Sequence, residues 1–240
     1  MYIPDVELHE SESLEHAAAL LERFGEAARV LAGGTDVLVD LKTGRTNTAH
    51  LVSINRISSL RDVSLERAAD GAITGLRIGA LTTIRQLDSS SHLRERFAPL
   101  RDATREMASA QVRNLATVGG NIASAVPCAD LPPILMVMRA SLILWSQAGQ
   151  REVMLEDFFV GPRRTILRSG ELLVGIRVPT PPADFGAAYS RFSLREGNAI
   201  AVAGVAAALR LTHDGDISNA RIALGAVAPT PTLVKAAGAA

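Results

Sequence analysis

The sequence of 240 residues predicts an α+β fold with a domain boundary near residue 178. Apolar runs of strand length alternate with helical patterns in the first part. Two glycine pairs, Gly33-Gly34 and Gly119-Gly120, lie where an apolar run gives way to a turn or helix start. A proline-dense segment follows at 178–182, and beyond it the pattern is mainly that of strands. We therefore expect a larger domain over 1–178 and a small α+β subdomain over 179–240.

The elements of the first part follow from apolar spacing and capping residues. Residues 14–24 carry apolar side chains at helical spacing, with Ser13 as the N-cap and Gly25 as the stop. After a strand at 28–32, Thr35 is expected to cap a second helix over 36–42. Further strands are predicted over 51–54, 76–79 and 141–145, and further helices over 83–87, 93–107 and 134–138.

Strand patterns dominate the second part, over 189–193, 199–211 and 217–226. The sequence His213-Asp214-Gly215-Asp216 joins the last two strands, and its Asp-Gly pair is a strong hairpin signal. Residues 233–237 have the pattern of a helix start with nothing after it to pack against. We therefore expect the chain to be a fragment whose last subdomain is incomplete.

Composition limits the classes of partner and site. The chain has 25 basic and 25 acidic residues and no long basic run, which argues against nucleic acid or an anionic membrane as a partner. Because it shows no signal peptide and no apolar run of about 20 residues, we expect a cytoplasmic protein. A single cysteine, Cys128, excludes an internal disulfide and any cysteine-only metal or iron–sulfur site within this chain.

The five histidines show no metal-ligand spacing and lie outside the glycine motifs. We expect surface or cap positions for them, and no metal site in this chain. They are His9, His16, His50, His92 and His213.

The two glycine pairs predict an anion site. Glycine permits positive φ and a close approach of the backbone, and the free N–H groups of a helix start can bind a phosphate. Neither the P-loop pattern nor the dinucleotide fingerprint occurs in the sequence. Gly33-Gly34 alone favours a plain strand-to-helix turn, since glycines mark turns everywhere. Together the two pairs predict the two halves of a phosphate cradle.

Four segments occur in this order along the chain: 31–36, 111–122, 124–130, and 161–165 followed by 170–173. Together they resemble the FAD-binding medium subunits of the molybdenum hydroxylases, the family of xanthine dehydrogenase and carbon monoxide dehydrogenase flavoprotein. The resemblance covers nearly the whole chain. It implies a two-lobed FAD-binding fold of the vanillyl-alcohol-oxidase/PCMH type, with a small α/β lobe over 1–55, a larger α+β lobe over 56–178 and the family's C-terminal subdomain over 179–240.

The resemblance further implies that FAD is held non-covalently in an extended pose, with its pyrophosphate between the two glycine turns. Ser124 and Asp130 correspond to contacts at the adenosine end, although Asp130 is also a plausible N-cap of the helix at 134–138. Leu173 corresponds to a residue packed on the adenine or the flavin, and Arg191 or Arg195 to a cation at the pyrimidine edge of the flavin. The implied pyrophosphate and ribityl contacts are Leu31, Ala32, Gly33, Gly34, Thr35, Asp36 and Val37 on one side, and Thr117, Gly119, Gly120 and Asn121 on the other.

The function implied by the resemblance is that of an oxidoreductase subunit without a catalytic acid, base or nucleophile of its own. Electrons would leave a molybdenum cofactor in a large subunit, cross [2Fe-2S] clusters in a small subunit, and reach FAD here for transfer to NAD or oxygen. The chain lacks the cysteine-bearing insertion of the 4-hydroxybenzoyl-CoA reductase type. Arg163 and Arg164 belong to a solvated loop or to a partner contact. The alternative function is a stand-alone nucleotide- or sugar-diphosphate-binding protein, or a UDP-sugar flavin reductase.

Overall fold

The computed structural model describes residues 5–195 and 199–238. The strands are β1 (Glu7–Glu10), β2 (Ala28–Leu31), β3 (His50–Ser53), β4 (Val63–Arg67), β5 (Ile73–Gly79), β6 (Ser141–Ser146), β7 (Gly149–Met154), β8 (Phe159–Gly161), β9 (Arg164–Thr165), β10 (Leu172–Pro179), β11 (Phe185–Ser193), β12 (Ala201–Leu211), β13 (Ile217–Gly225) and β14 (Thr232–Leu233). The α-helices are α1 (Leu14–Phe24), α2 (Val37–Lys42), α3 (Ile84–Ser89), α4 (Leu100–Glu106), α5 (Ala110–Leu115), α6 (Val118–Ala123) and α7 (Leu131–Val137). Within these residues no helix has the length and apolar character needed to cross a bilayer.

The first three strands form a small parallel sheet in the order β1-β3-β2, and α1 packs against it. The hydroxyl of Ser13 accepts a hydrogen bond from the backbone N–H of His16 at 3.1 Å, which caps α1. The chain leaves the helix at Gly25 with φ +51°, a conformation that favours glycine. The predicted cap and stop of this helix are both confirmed.

A five-stranded antiparallel sheet in the order β4-β5-β10-β6-β7 forms the centre of the molecule. One face of β6 and β10 packs with α3, α4 and α7 in the main apolar core, through Leu142, Leu144 and Ile176. The other face packs with α1 through residues such as Ile143 and Val174. Because β10 is buried on both faces, its sequence is nearly continuously apolar and lacks the alternation that marks a half-exposed strand.

The C-terminal part is a four-stranded sheet in the order β11-β12-β13-β14, with α7 packed against one face. The predicted hairpin between β12 and β13 is confirmed, since Thr212 donates its N–H to Asp216 O at 2.7 Å and Gly215 has φ +91°. The opposite face leaves Phe192, Val205 and Leu209 exposed.

The predicted helix over 93–107 is confirmed only in its second half. The segment holds a 3-10 turn at Glu95–Phe97 and then α4, which begins after Pro99. Glu95 has φ +48°, outside the range of a right-handed helix. Proline supplies no N–H to a preceding turn, so one continuous helix through Pro99 would lose a hydrogen bond.

Three further predictions needed correction. Thr35 does not cap α2, because the N-cap is Asp36 and neither side chain makes a capping hydrogen bond. The proline-dense linker is shorter than expected, because Pro179 still pairs with Gly75 in the sheet. The terminal segment forms β14 and a 3-10 turn at Lys235–Gly238 instead of an α-helix start. The domain boundary near 178 stays a prediction.

Candidate functional site

A cavity of about 530 Å³ lies between the small parallel sheet and the five-stranded sheet, and both glycine pairs line it. Its size falls within the roughly 300–1,000 Å³ of small-molecule sites. The structure thus brings together two turns that are about 85 residues apart in the sequence. The predicted site residues that line it are Ala32, Gly33, Gly34, Thr35, Asp36, Val37, Thr117, Gly119, Gly120, Asn121, Ser124 and Leu173.

The first turn, residues 33–37, carries unpaired backbone donors. Across the described part of the chain, none of its five N–H groups has a protein acceptor, and the first hydrogen bonds of α2 start at Leu38 and Asp40. Gly34 holds φ +73°, which lets the chain turn sharply into the short helix. An N–H group without a partner at a cavity wall is ready to bind an anion.

The second turn is different, and the expectation that it also offers free N–H groups is wrong. The first four N–H groups of α6 are all used inside the protein. Val118 donates to Thr82 O and Gly119 to Ala80 O, each at 2.9 Å. Gly120 donates to the Thr117 hydroxyl at 3.1 Å, and Asn121 donates to Thr117 O at 2.9 Å. The second turn therefore forms part of the cavity wall, but its backbone N–H groups stabilise the fold and are not free to bind a ligand.

The glycines permit close approach of protein to protein. A Cβ on Gly33 would overlap the carbonyl group of Leu115, and a Cβ on Gly119 would lie 2.6 Å from Ala80 Cβ. Gly33 thus lets the first turn rest on the end of α5, and Gly119 lets α6 rest on the residue after β5. The sequence pattern predicts that these glycines let the backbone approach a ligand closely. In the structure, Gly33 and Gly119 instead let two segments of the chain approach each other closely.

Five charged side chains line the cavity beside the first turn. Arg163 pairs with Asp40, and Arg45 lies 3.6 Å from the same carboxylate, so Asp40 is neutralised by two cations. Arg163 is therefore not simply a solvated loop residue, because its side chain pairs with Asp40 within this chain. The cavity walls crowd Asp36, and this desolvation raises the pKa of its carboxyl although the side chain still reaches solvent. The fifth charged side chain that lines the cavity beside the first turn is that of Arg29.

Asn121 presents an amide oxygen that is buried and has no hydrogen-bond partner in the protein. The same residue lines the cavity, and its amide nitrogen has only a distant contact with Met107 Sδ at 4.0 Å. A buried acceptor without a donor is costly, by about 1–3 kcal/mol. A ligand hydroxyl would satisfy it, whereas a phosphate oxygen would not.

Glu171 closes another part of the cavity wall with its side chain only 6% exposed. Arg151 donates to it through Nε at 2.7 Å and Nη2 at 2.8 Å, and the N–H of Arg168 donates at 2.8 Å. These hydrogen bonds, those of Arg151 first, hold the pKa of Glu171 below its ordinary value. No sequence pattern indicates this ion pair, since the glutamate and its arginine are 20 positions apart.

We expect Glu171→Gln to lower the free energy of unfolding by about 1–3 kcal/mol at pH 7. Because the pKa of Glu171 is lowered in the folded state, its contribution is complete above the unfolded value of about 4.3 and is lost as the pH falls through the lower folded pKa. Urea unfolding between pH 7 and pH 3 measures this. Glu12→Gln, in an exposed pair with Arg56, is the control. A difference that persists undiminished at low pH would contradict the assignment.

The cavity lining does not include Leu31, Asp130, Arg191 or Arg195. Asp130 is buried, accepts from the Tyr189 hydroxyl at 2.8 Å, and pairs with Arg191 at 3.5 Å. Asp130 occupies the N-cap position of α7, as the sequence indicates, but its side chain makes no capping hydrogen bond there. The flavin contacts implied for these four residues stay predictions.

Two of the histidines are not isolated surface residues, contrary to expectation. His9 Nε2 lies 3.1 Å from His50 Nδ1, and both rings stack on Phe24. Parallel pairing of β1 with β3 brings the two histidines together across 41 positions. Cys128 is partly buried, and burial raises the pKa of its thiol, in keeping with a structural role.

Residues 4–181 match the family described as the FAD binding domain in molybdopterin dehydrogenase, and residues 187–240 match the CO dehydrogenase flavoprotein C-terminal domain. The chain is 36% identical to the carbon monoxide dehydrogenase medium chain of Hydrogenophaga pseudoflava, over 96% of this chain and 77% of the relative. It is also 36% identical to the xanthine dehydrogenase FAD-binding subunit of Escherichia coli O157:H7, over 93% of this chain and 74% of the relative.

Solved structures agree with the sequence matches. The carbon monoxide dehydrogenase of Hydrogenophaga pseudoflava, in a form that lacks the Mo-pyranopterin moiety of its cofactor, superposes with a TM-score of 0.93 at 37% identity, covering 100% of this chain and 80% of that one. Quinoline 2-oxidoreductase from Pseudomonas putida 86 superposes with a TM-score of 0.88 at 28% identity, with the same coverage.

Proposed function

This chain belongs to the family of FAD-binding domains of molybdopterin dehydrogenases, and on that premise we propose that it is the electron-transfer subunit of a molybdenum hydroxylase complex. The family is one of oxidoreductases, and FAD is its cofactor on this subunit. Transfer of electrons from iron–sulfur clusters to FAD and on to an acceptor is the proposed role of this chain within it.

The observation that carries the proposal is the set of five unpaired N–H groups at residues 33–37, on the wall of a cavity of nucleotide size. A diphosphate needs several convergent donors, and backbone N–H groups supply them without a fixed positive side chain. The unpaired Asn121 oxygen adds an acceptor on the opposite wall. The residues present therefore fit FAD.

We assign the pyrophosphate to the first turn, with the Thr35 hydroxyl as an added donor. Asn121 would accept from a hydroxyl of the ribityl chain or the ribose, and Ser124 and Leu173 would contact the rest of the cofactor. Gly119 and Gly120 shape the wall and bind nothing through their N–H groups. Bound FAD supplies the electron chemistry, since it can exchange electrons with one-electron clusters and with a two-electron acceptor.

Partner subunits are supported by an apolar surface. Phe192, Val205 and Leu209 lie exposed on the face of the C-terminal sheet away from α7. Exposed apolar side chains that share one face of a sheet are a feature of protein interfaces. We propose that a large subunit with a molybdenum cofactor and a small subunit with [2Fe-2S] clusters complete the complex. NAD or oxygen as the acceptor, and a cytoplasmic location, stay predictions.

The experiment is to isolate the chain from cells that naturally produce it and to measure FAD, iron, acid-labile sulfide and molybdenum in the same material. We expect all four together, with two further polypeptides. After chemical reduction of the complex, removal of FAD should slow reoxidation of the clusters by NAD or oxygen, and added FAD should restore the rate. A chain that is isolated alone and reduces a UDP-sugar would favour the alternative function. Reoxidation that is unaffected by FAD removal would contradict the electron-transfer role.

A further inference from the structure

A cluster of three potential ligand groups lies on the small parallel sheet, outside the cavity. Glu7 and His9 are two positions apart on β1 and therefore share one face of the strand. His50 begins β3 and lies opposite Glu7 in the parallel register. The described residues of the cavity lining include none of the three.

The three ligand atoms converge on one point. His9 Nε2 lies 3.1 Å from His50 Nδ1, and Glu7 Oε2 lies 3.4 Å from His50 Nδ1 and 3.7 Å from His9 Nε2. A triangle with these sides has a circumradius of about 2.0 Å, so a single ion can stand about 2.0–2.2 Å from all three atoms. Those are the usual zinc distances to imidazole nitrogen and carboxylate oxygen.

Neighbouring groups hold the two imidazoles in place. The Phe24 ring stacks on His50 with centroids 3.8 Å apart and on His9 at 5.0 Å. The side chains of His9 and His50 are only 16% and 21% exposed, whereas that of Glu7 is 66% exposed. The site therefore has two largely buried nitrogen ligands and one exposed carboxylate.

Without an ion, a proton on one of the two facing imidazole nitrogens would make a simple hydrogen bond between His9 and His50. That arrangement accounts for the 3.1 Å separation, and a protonated imidazole would also pair with Glu7, but neither contact needs all three ligand atoms to converge on one point. We propose that Glu7, His9 and His50 bind one divalent transition-metal ion, with water at a fourth position. Two imidazoles and one carboxylate suit Zn²⁺. The ion would fasten β1 to β3 and stabilise the small lobe.

Calorimetric titration of the full chain with ZnCl₂ tests the site, using protein that carries no polyhistidine tag and has been stripped with a chelator. We expect one ion per chain with a dissociation constant in the micromolar range or below, and a higher melting temperature when zinc is present. His9→Gln and His50→Gln should each weaken binding at least tenfold and remove the thermal shift. Glu7→Gln, at an exposed position, should weaken binding less.

The control is His213→Gln, in the exposed hairpin, which should bind zinc as the unaltered chain does. Circular dichroism and FAD content separate loss of the site from loss of the fold, and the exposed Glu7 variant keeps the test valid if the histidine variants fold poorly. Failure of the unaltered chain to take up zinc, or equal uptake by a chain with both His9→Gln and His50→Gln, would overturn the proposal.

Discussion

Gly33→Ala is expected to abolish FAD binding and to lower the free energy of unfolding by at least about 3 kcal/mol. The new Cβ would overlap the carbonyl oxygen of Leu115 and lie 3.1 Å from Ala116 Cα. Because these neighbours are backbone atoms, no change of rotamer can relieve the overlap. The first turn must move away from α5, and its five N–H groups lose their common arrangement. Urea unfolding and the flavin released on denaturation measure the two effects.

Gly186→Ala is the matched control. Gly186 lies in β11, has no atom within 4 Å of an added Cβ, and does not require positive φ. This variant should keep its flavin and change stability by no more than about 0.5 kcal/mol. If Gly33→Ala bound FAD as tightly as the unaltered chain, the first turn would not be the pyrophosphate site, and the assignment would have to be withdrawn.

Asp130→Ala is expected to lower the free energy of unfolding by about 3–5 kcal/mol. Tyr189 and Arg191 are buried with Asp130, and the change would leave the Tyr189 hydroxyl and much of the Arg191 charge without their partner. Burial raises the pKa of Tyr189, so its hydroxyl remains a donor at neutral pH. Among the described residues, the Glu106 carboxylate at 3.6 Å and the Ala199 carbonyl oxygen at 3.1 Å would still face the guanidinium. Thermal and urea unfolding at pH 7 measure the loss.

Asp184→Ala serves as the comparison. Asp184 forms an exposed pair with Arg210, so its loss should lower the free energy of unfolding much less than the loss of Asp130. The Asp130 variant also separates two roles. If Asp130 acts only in the fold, the folded variant at low temperature should retain FAD with normal affinity. A normal stability together with weakened FAD binding would instead support the adenosine contact implied by the resemblance.

The sequence predicted which segments line the cavity better than it predicted which of their backbone N–H groups are free. The glycine pairs indicated two segments that meet at one cavity, and twelve of the sixteen proposed residues line it. The difference between the two turns was not predictable, because it depends on Thr82 and Ala80 accepting the N–H groups of α6. The partners of a backbone donor depend on packing between distant segments. The same limit hid the contact of His9 with His50.

Among the elements, those with a clear period and a cap were predicted well, as α1 and the β12–β13 hairpin show. Two kinds of strand were missed. The segment of β10 is apolar on both faces, so it has no alternation, and it ends at Pro179, the first proline of the predicted linker. The segment of β7 is polar because it lies at the edge of the sheet. The continuous apolar pattern of β10 and the polar pattern of β7 both arise from the position of the strand in its sheet.

Leu115 ends α5 with its side chain 60% exposed and its carbonyl group against Gly33. The turn that carries the unpaired N–H groups thus meets α5 through a contact of backbone with backbone. Side chains can absorb a displacement by rotating, whereas two backbones in contact transmit it. We therefore expect a displacement of the end of α5 to reach the first turn directly, because Gly33 has no side chain to take it up.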